Sequence, residues 1–316
     1  IVGSIFIIGY TFVGGYKAVC YTDVVQGLMM LLGLIAVPAA AIYASGGWGE
    51  VQTNLALQDP TLVDMMAVSG DGKIVWIAIA SFIAIGLPFM GVPQLLVRFM
   101  SARDDLEIRK ARVVSMIVLF VFTAGAVTAG VAGRALFPGL DDSETIFPVL
   151  SNNLFPPIIS GMLLVVVLSA IMSTVDSLLL LASSSVVRDT YQKIIGTTKS
   201  EEALSNYGKL LTVVIGAIAV ILGIQEPRVI FDFVLASWGG LGSAFGPAVV
   251  GILYYRRVTW AGVLAGMLGG FLTCVIWLRF FKDDYYGLYE AIPGFIAGFV
   301  LTFGVSWLTS KKDRSM

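Results

Sequence analysis

The sequence predicts an all-α polytopic membrane protein, and three observations carry that reading. The 316 residues are 57% hydrophobic and only 13% charged, whereas a soluble domain carries about 25% charged residues. Nine stretches approach or exceed the ~20 apolar residues that a helix needs to cross a bilayer. Positive charge is unevenly shared between alternate connecting loops. Lys17, Arg98, Arg103, Arg109, Lys110, Arg112, Arg188, Lys193, Lys199, Lys209, Arg256, Arg257, Lys311, Lys312 and Arg314 fall in one set, and Lys73, Arg134, Arg228, Arg279 and Lys282 in the other, 15 against 5. By the positive-inside bias the first set, with the C-terminus, is expected in the cytoplasm of a cell whose plasma membrane the chain crosses many times.

The nine stretches run from 1 to 14, 22 to 45, 74 to 97, 112 to 137, 156 to 185, 209 to 225, 229 to 255, 259 to 281 and 288 to 309. They are long and continuous, unlike the ten-residue alternating segments of membrane barrels, so they read as helices. The first, in "IVGSIFIIGYTFVGG", is apolar from residue 1 and lacks an initiator Met. It reads as the end of a span, and the sequence is expected to be a C-terminal portion. The second opens on Thr22 and Asp23. Either residue is an ordinary helix cap there, and the acid is equally a cation ligand near the inner end of its span. The segments "SGGWGEVQTNLALQDPTLVDMMAVSGDGK" and "PGLDDSETIFPVLSNNLFPP" read as outside loops.

The third stretch contains "IGLPFMGVPQ", with Gly86, Pro88, Gly91 and Pro93. The seventh contains "SWGGLGSAFGP", with Gly239, Gly240, Gly242, Gly246 and Pro247. Proline removes a helix hydrogen bond and glycine loosens the backbone, so both spans are expected to be kinked or broken. Broken spans point to a solute site near the midplane in secondary transporters. Pro93, Trp238 and Gly239, at these interruptions, are candidates for lining a solute cavity. The basic run "RFMSARDDLEIRKAR" is sufficiently explained as a topology determinant, and no nucleic-acid partner is expected.

The fifth stretch, "VVVLSAIMSTVDSLLLLASSS", places Asp176 among apolar and small hydroxyl residues. At 100° per residue, positions i, i+3 and i+4 lie close on a helix. Ala170, Ser173 and Thr174 form one such trio; Ser173, Asp176 and Ser177 form a second. Hydroxyls, a backbone carbonyl and a carboxylate suit a hard cation, and an acid inside a span is by default functional. The alternative is packing, with Asp176 hydrogen-bonded to a neighbouring helix. In the later stretches, Gly216, Gly223, Gly266, Gly269 and Gly270 read as helix-contact positions. Glu290 and Asp232 read as acids near span ends that reach the interface, and Trp76, Trp277, Tyr285, Tyr286, Tyr289 and Trp307 fit interfacial belts.

With no histidine in the chain, His-based triads and His-ligated zinc are excluded. Cys20 and Cys274 make neither a disulfide framework nor a metal spacing. An intramembrane aspartyl protease would use two acids, yet its Gly-x-Gly-Asp pattern is absent at Asp23 and Asp176. A transporter-like sensor is a further alternative, although the closing "TSKKDRSM" gives no sign of a signalling domain. No pore-lining ring of charge marks a channel. The expectation is a transporter and not an enzyme, with no cofactor, whose partners are a small-molecule solute, a coupling ion and the lipid bilayer.

The segments "GGYKAVCYTDVVQ", "PQLLVRFMSA" followed by "KARVVSM", "LSAIMSTVDS", "SAFGPAVV", "AGVLAGM" and "GLYEAIPGF" occur in this order over nearly the whole chain. Through them the sequence resembles the sodium:solute symporter family, most closely its bacterial sodium/proline symporters. The resemblance implies a LeuT-like core of two inverted repeats, with about nine transmembrane helices here of an expected thirteen. Residues 1–316 would be one transporter domain. In it 1–45 would end the first repeat, 74–256 form the second, and 259–316 supply two extra helices and a tail. It implies Na⁺ as the coupling ion, bound by the Ala170 carbonyl and the Ser173 and Thr174 hydroxyls. It also implies a second cation site using Asp23, Ser173 and Ser177 with Asp176 beside them. Where proline symporters usually bear a Trp and a Tyr one turn apart before the proline that is Pro93 here, this chain has Ile85 and Phe89, which the resemblance adds to the residues expected to line the solute cavity. "GRALFPGL" is similar to sodium/pantothenate members, so the solute is expected to be an amino acid such as proline or a related carboxylate.

Overall fold

In the computed structural model the described residues are 2–64, 75–225 and 230–310, without the side chains of 2, 75, 225 and 230–232. Asp232 as a side chain, and the loop charges Lys73, Arg228, Lys311, Lys312 and Arg314, therefore lie outside them. The described residues form helices and turns, with no strand among them. The α-helices are α1 (Val2–Ala44), α2 (Trp48–Gln58), α3 (Val75–Ala84), α4 (Pro93–Met100), α5 (Asp105–Leu136) and α6 (Ile146–Leu154). They continue with α7 (Pro157–Ser184), α8 (Glu201–Gln225), α9 (Ile230–Tyr254), α10 (Trp260–Ile276) and α11 (Ala291–Thr309). Among the described residues, seven helices are long and apolar enough to cross a membrane; a bent pair, Trp76–Met90 with Pro93–Met100 at 44°, makes an eighth. The protein is a multi-pass membrane protein.

The first helix has an unusual shape. Its 43 residues are helical except at Gly15, where φ is 61° and ψ is −166°. A straight helix of that length would measure about 65 Å, twice the ~30 Å hydrocarbon thickness. It would also hold Tyr10 and Gln26 about 24 Å apart along its axis, yet their side chains hydrogen-bond. The chain therefore doubles back at Gly15, in a left-handed conformation that glycine adopts without penalty. The sequence stretches 1–14 and 22–45 are the two arms of this hairpin. The expected loop between them, with Lys17, is helical instead.

The described chain packs as two compact units, each discontinuous in sequence: Ile1–Met65 with Arg103–Glu226, and Met66–Ala102 with Pro227–Met316. In the first unit α1 packs against α5, α7 and α8. Lipid is as apolar as the helix surfaces, so helices associate by close van der Waals packing at small residues. A side chain at Gly33 would begin 2.9 Å from Val166 of α7, and one at Gly216 of α8 would begin 2.7 Å from Ile8. Val37 and Ala41 meet Val51 and Leu55 of α2, Ala129 and Ala132 of α5, and Leu150 of α6 in one buried cluster. Thus two segments expected to be loops contain the short helices α2 and α6. Val51 and Leu55, one turn apart, explain the first, for they face the core together. α5 begins seven residues before the expected stretch, at a capped end: Asp104 accepts the Glu107 N–H at 2.8 Å, and Glu107 accepts the Arg103 N–H at 3.1 Å.

The second unit is built on the expected broken span. Pro88 sits in a 3₁₀ turn, Leu87–Met90, and Pro93 is the first residue of α4. The backbone freed here lies against α9: Gly91 meets the backbone of Gly246, and Gly242 meets Pro88 so closely that a Cβ would start 2.6 Å from the proline Cβ. The seventh span differs from expectation, since α9 runs unbroken through Gly239, Gly240 and Pro247. Its glycines receive neighbours instead of breaking the helix. α10 and α11 pack along one another, with Gly262, Gly266 and Gly270 facing Ser306, Thr302 and Gly294. Thr259 caps α10 by accepting the Gly262 N–H at 3.2 Å.

Candidate cation and solute sites

On α7 the first trio comes together as expected. The Ser173 and Thr174 hydroxyls each lie 3.1 Å from the Ala170 carbonyl oxygen and donate to it. Three oxygens thus converge on one side of the helix. Ala170 and Thr174 are exposed, and Ser173 is half-buried. One turn on, Ser177, half-buried, donates to the Ser173 carbonyl at 3.0 Å.

Asp176 points elsewhere. At 100° per residue it lies roughly 160° around the helix from Thr174, and it is 0% exposed. Its two carboxylate oxygens accept hydrogen bonds from the first arm of α1. The Tyr10 hydroxyl donates to Oδ2, and the Thr11 hydroxyl donates to Oδ1 at 2.9 Å. Thr11 has a second acceptor for its single hydrogen, the Ile7 carbonyl at 2.7 Å. Gln26, on the other arm, hydrogen-bonds Tyr10. Asp23, half-buried on that arm, lies within electrostatic reach of both Tyr10 and Asp176. So the two acids are brought together, and Asp176 is a bridge between helices as well as a buried charge. Sequence reasoning missed Tyr10, Thr11 and Gln26. The signal was there: they are hydroxyl and amide groups placed inside apolar runs.

The proposed solute-cavity residues lie in the second unit. Phe89, on the turn that breaks the span, and Trp238, on α9, meet edge to face with ring centroids 4.9 Å apart. Phe89 is exposed; Ile85, Pro93 and Trp238 are half-buried. Ile85 packs beside the buried cluster of Ala84, Tyr289, Ala291 and Phe295. Gly239 is buried, and a Cβ on it would project toward Glu290 and Tyr289 at 3.4 Å and Cys274 at 3.5 Å. That side of Gly239 is a packing contact with the segment entering α11. Glu290 does not reach the interface as its position in the sequence implied: it is 0% exposed and paired with Lys282 at 2.9 Å. Tyr289 is likewise buried, at 4% exposure.

Known proteins resemble this chain in sequence and fold. The profile of the sodium:solute symporter family matches residues 1–270. The high-affinity proline transporter PutP of Bacillus subtilis (strain 168) is 37% identical over 314 residues, covering 98% of this chain and 65% of its own. The sodium/proline symporter of Staphylococcus aureus is 36% identical over 317 residues, covering 96% and 61%. The structure of a substrate-bound, outward-open Na⁺-coupled sialic acid symporter superposes with a TM-score of 0.75 at 20% identity, covering 98% of this chain and 66% of that one. The fold is therefore LeuT-like and all-helical. The chain spans less than two thirds of the length of these relatives. A profile match over most of the sequence, together with identities above a third along nearly its whole length, places the chain in the sodium:solute symporter family.

Proposed function

We propose that the protein performs sodium-coupled symport of a small organic solute into the cell across the plasma membrane. The observation that carries this reading is the convergence of the Ala170 carbonyl with the Ser173 and Thr174 hydroxyls on α7. Hard cations take oxygen ligands, and these three lie on a membrane helix in the segment that matches the family. In this reading Ala170, Ser173 and Thr174 bind Na⁺. Asp23 and Ser177 serve a second, supporting cation position, with Asp176 beside them. The ion couples to the solute by favouring one conformation, because a ligand shifts an equilibrium only by its differential affinity. In this reading residues 1–45 end the first inverted repeat, 74–256 form the second, 259–316 supply two further helices and the tail, and the C-terminus lies in the cytoplasm. The protein acts as a transporter and not an enzyme, with Na⁺ as coupling ion and no other cofactor.

The names of the relatives support proline, or an amino acid like it, as solute. A pantothenate-like organic acid is the second reading, and one feature favours it: Ile85 and Phe89 are apolar at positions where proline symporters carry Trp and Tyr. The deciding experiment is uptake by the full-length protein in proteoliposomes under a sodium gradient without a pH gradient, and under the reverse. Sodium-driven uptake is expected. Uptake driven by the pH gradient alone, with sodium sensitivity unaltered in Ser173→Ala and Thr174→Ala, refutes the sodium assignment.

A further inference from the structure

The segment that enters α11 grips both elements that carry the aromatic pair. The Tyr289 N–H donates to the Ser81 hydroxyl of α3 at 3.1 Å, and the Tyr289 hydroxyl donates to the Leu235 carbonyl of α9 at 3.0 Å. Ser81 lies one turn before Ile85 and two turns before Phe89. Leu235 lies one turn before Trp238. The Trp277 indole N–H holds the same segment by donating to the Leu288 carbonyl at 3.1 Å. Next to Tyr289, the fully buried Glu290 is fixed by Lys282, whose side chain is 31% exposed. A buried carboxylate moved away from its cation is left uncompensated, so such a pair resists displacement. Gly239 of α9 lies directly against the arrangement, since a Cβ there would make van der Waals contact at 3.4 Å with both Tyr289 and Glu290.

We propose that Tyr289, Glu290 and Lys282 form a positioning clamp that fixes Phe89 against Trp238 and thereby sets the affinity for solute, without touching it. This rests on the transport reading above, and its test has one readout that does not. In proteoliposomes with the full-length protein and labelled L-proline, Tyr289→Phe and Lys282→Gln are each expected to raise KM about five-fold. The sodium concentration for half-maximal uptake should stay within about two-fold of the parent. The double variant Lys282→Gln/Glu290→Gln, which leaves no buried charge unpaired, should recover most of the loss. An unchanged KM, a sodium requirement that moves by the same factor, or a double variant worse than Lys282→Gln alone overturns the clamp. The second readout is the contribution of Trp238 to fluorescence, obtained as the difference between each protein and its Trp238→Phe counterpart. It should shift to the red in Lys282→Gln and return in the double variant, and no shift overturns the proposal. If Lys282→Gln fails to accumulate, Tyr289→Phe, which deletes a single hydroxyl, decides by the same two readouts. A parent protein without sodium-driven uptake of any solute would sink the transport reading, and the fluorescence would then judge the clamp alone.

Discussion

Replacing Tyr10 by Phe deletes one of the two hydroxyl donors on the buried Asp176 carboxylate, and the structure ranks this change against its neighbours. Hydrogen bonds to charged groups contribute about 1.5–3 kcal/mol in soluble proteins, while those between membrane helices average about 0.6 and reach about 1.7. A charged, fully buried acceptor puts Tyr10 at the top of the membrane range, so Tyr10→Phe should cost about 1.5 kcal/mol. Thr11→Val should cost less, about 0.5–1 kcal/mol, because that hydroxyl divides its hydrogen between Asp176 and the Ile7 carbonyl. Asp176→Asn should cost least. The amide oxygen still accepts from Tyr10, and the amide N–H₂ can donate to the Thr11 oxygen while Thr11 turns its hydrogen to Ile7. The assay is thermal unfolding of the full-length protein in detergent, with and without sodium. A ligand that binds only the folded state raises its stability, so the sodium-dependent gain measures ion binding separately from the bridge. That gain should fall in Ser173→Ala and Thr174→Ala and persist in Asp176→Asn. If Asp176→Asn proves the most damaging of the three bridge variants, or abolishes the sodium gain, the carboxylate acts mainly as an ion ligand and the ranking is wrong.

Three further outcomes are expected. Ser173→Ala and Thr174→Ala should each raise the sodium concentration needed for half-maximal uptake more than Asp176→Asn does, read from initial rates over a sodium series. Ile85→Trp combined with Phe89→Tyr should tighten proline uptake, seen as a fall in KM; tight proline transport by the parent would mean that these positions do not matter. Gly242→Ala should destabilise the second unit by about 1–3 kcal/mol through overpacking against Pro88, with Gly223→Ala, whose side chain would enter open space, as the neutral comparison in the same unfolding assay.

Much of the fold was legible because a bilayer imposes one dominant rule. Apolar runs of membrane length must be helical, and each of the nine stretches is mostly helical in its described residues, the third being interrupted around Gly86 and Gly91. The break at Pro88 and Pro93 was legible for the same local reason, a missing donor. The unbroken α9 was not. Whether glycine kinks a helix or merely admits a neighbour depends on what approaches it, and Pro88, Gly91 and Phe295 are distant in sequence from Gly242 and Gly246. The helices α2 and α6 hid in acidic, turn-rich segments because their few apolar residues are satisfied by partners elsewhere. At the candidate cation site, spacing found the trio around the Ala170 carbonyl, since its hydrogen bonds are local. It could not assign a direction to Asp176. Helical geometry alone puts that acid nearly opposite Thr174, but only tertiary structure supplies Tyr10 and Thr11 as its partners. Glu290 was misread for the converse reason. Proximity to a span end implied water, and the fold covers it.

At Gly15, two helical arms joined by a single non-helical residue have no loop between them. They form one tight hairpin, with Lys17 near its tip. A β-branched residue at Gly15, strained at that backbone angle, would favour one rod about twice as long as the hydrocarbon is thick. Such a rod can neither lie within the membrane upright nor return Gln26 to Tyr10. The reversal of this part of the chain therefore hangs on the backbone freedom of one residue as well as on packing against α5, α7 and α8.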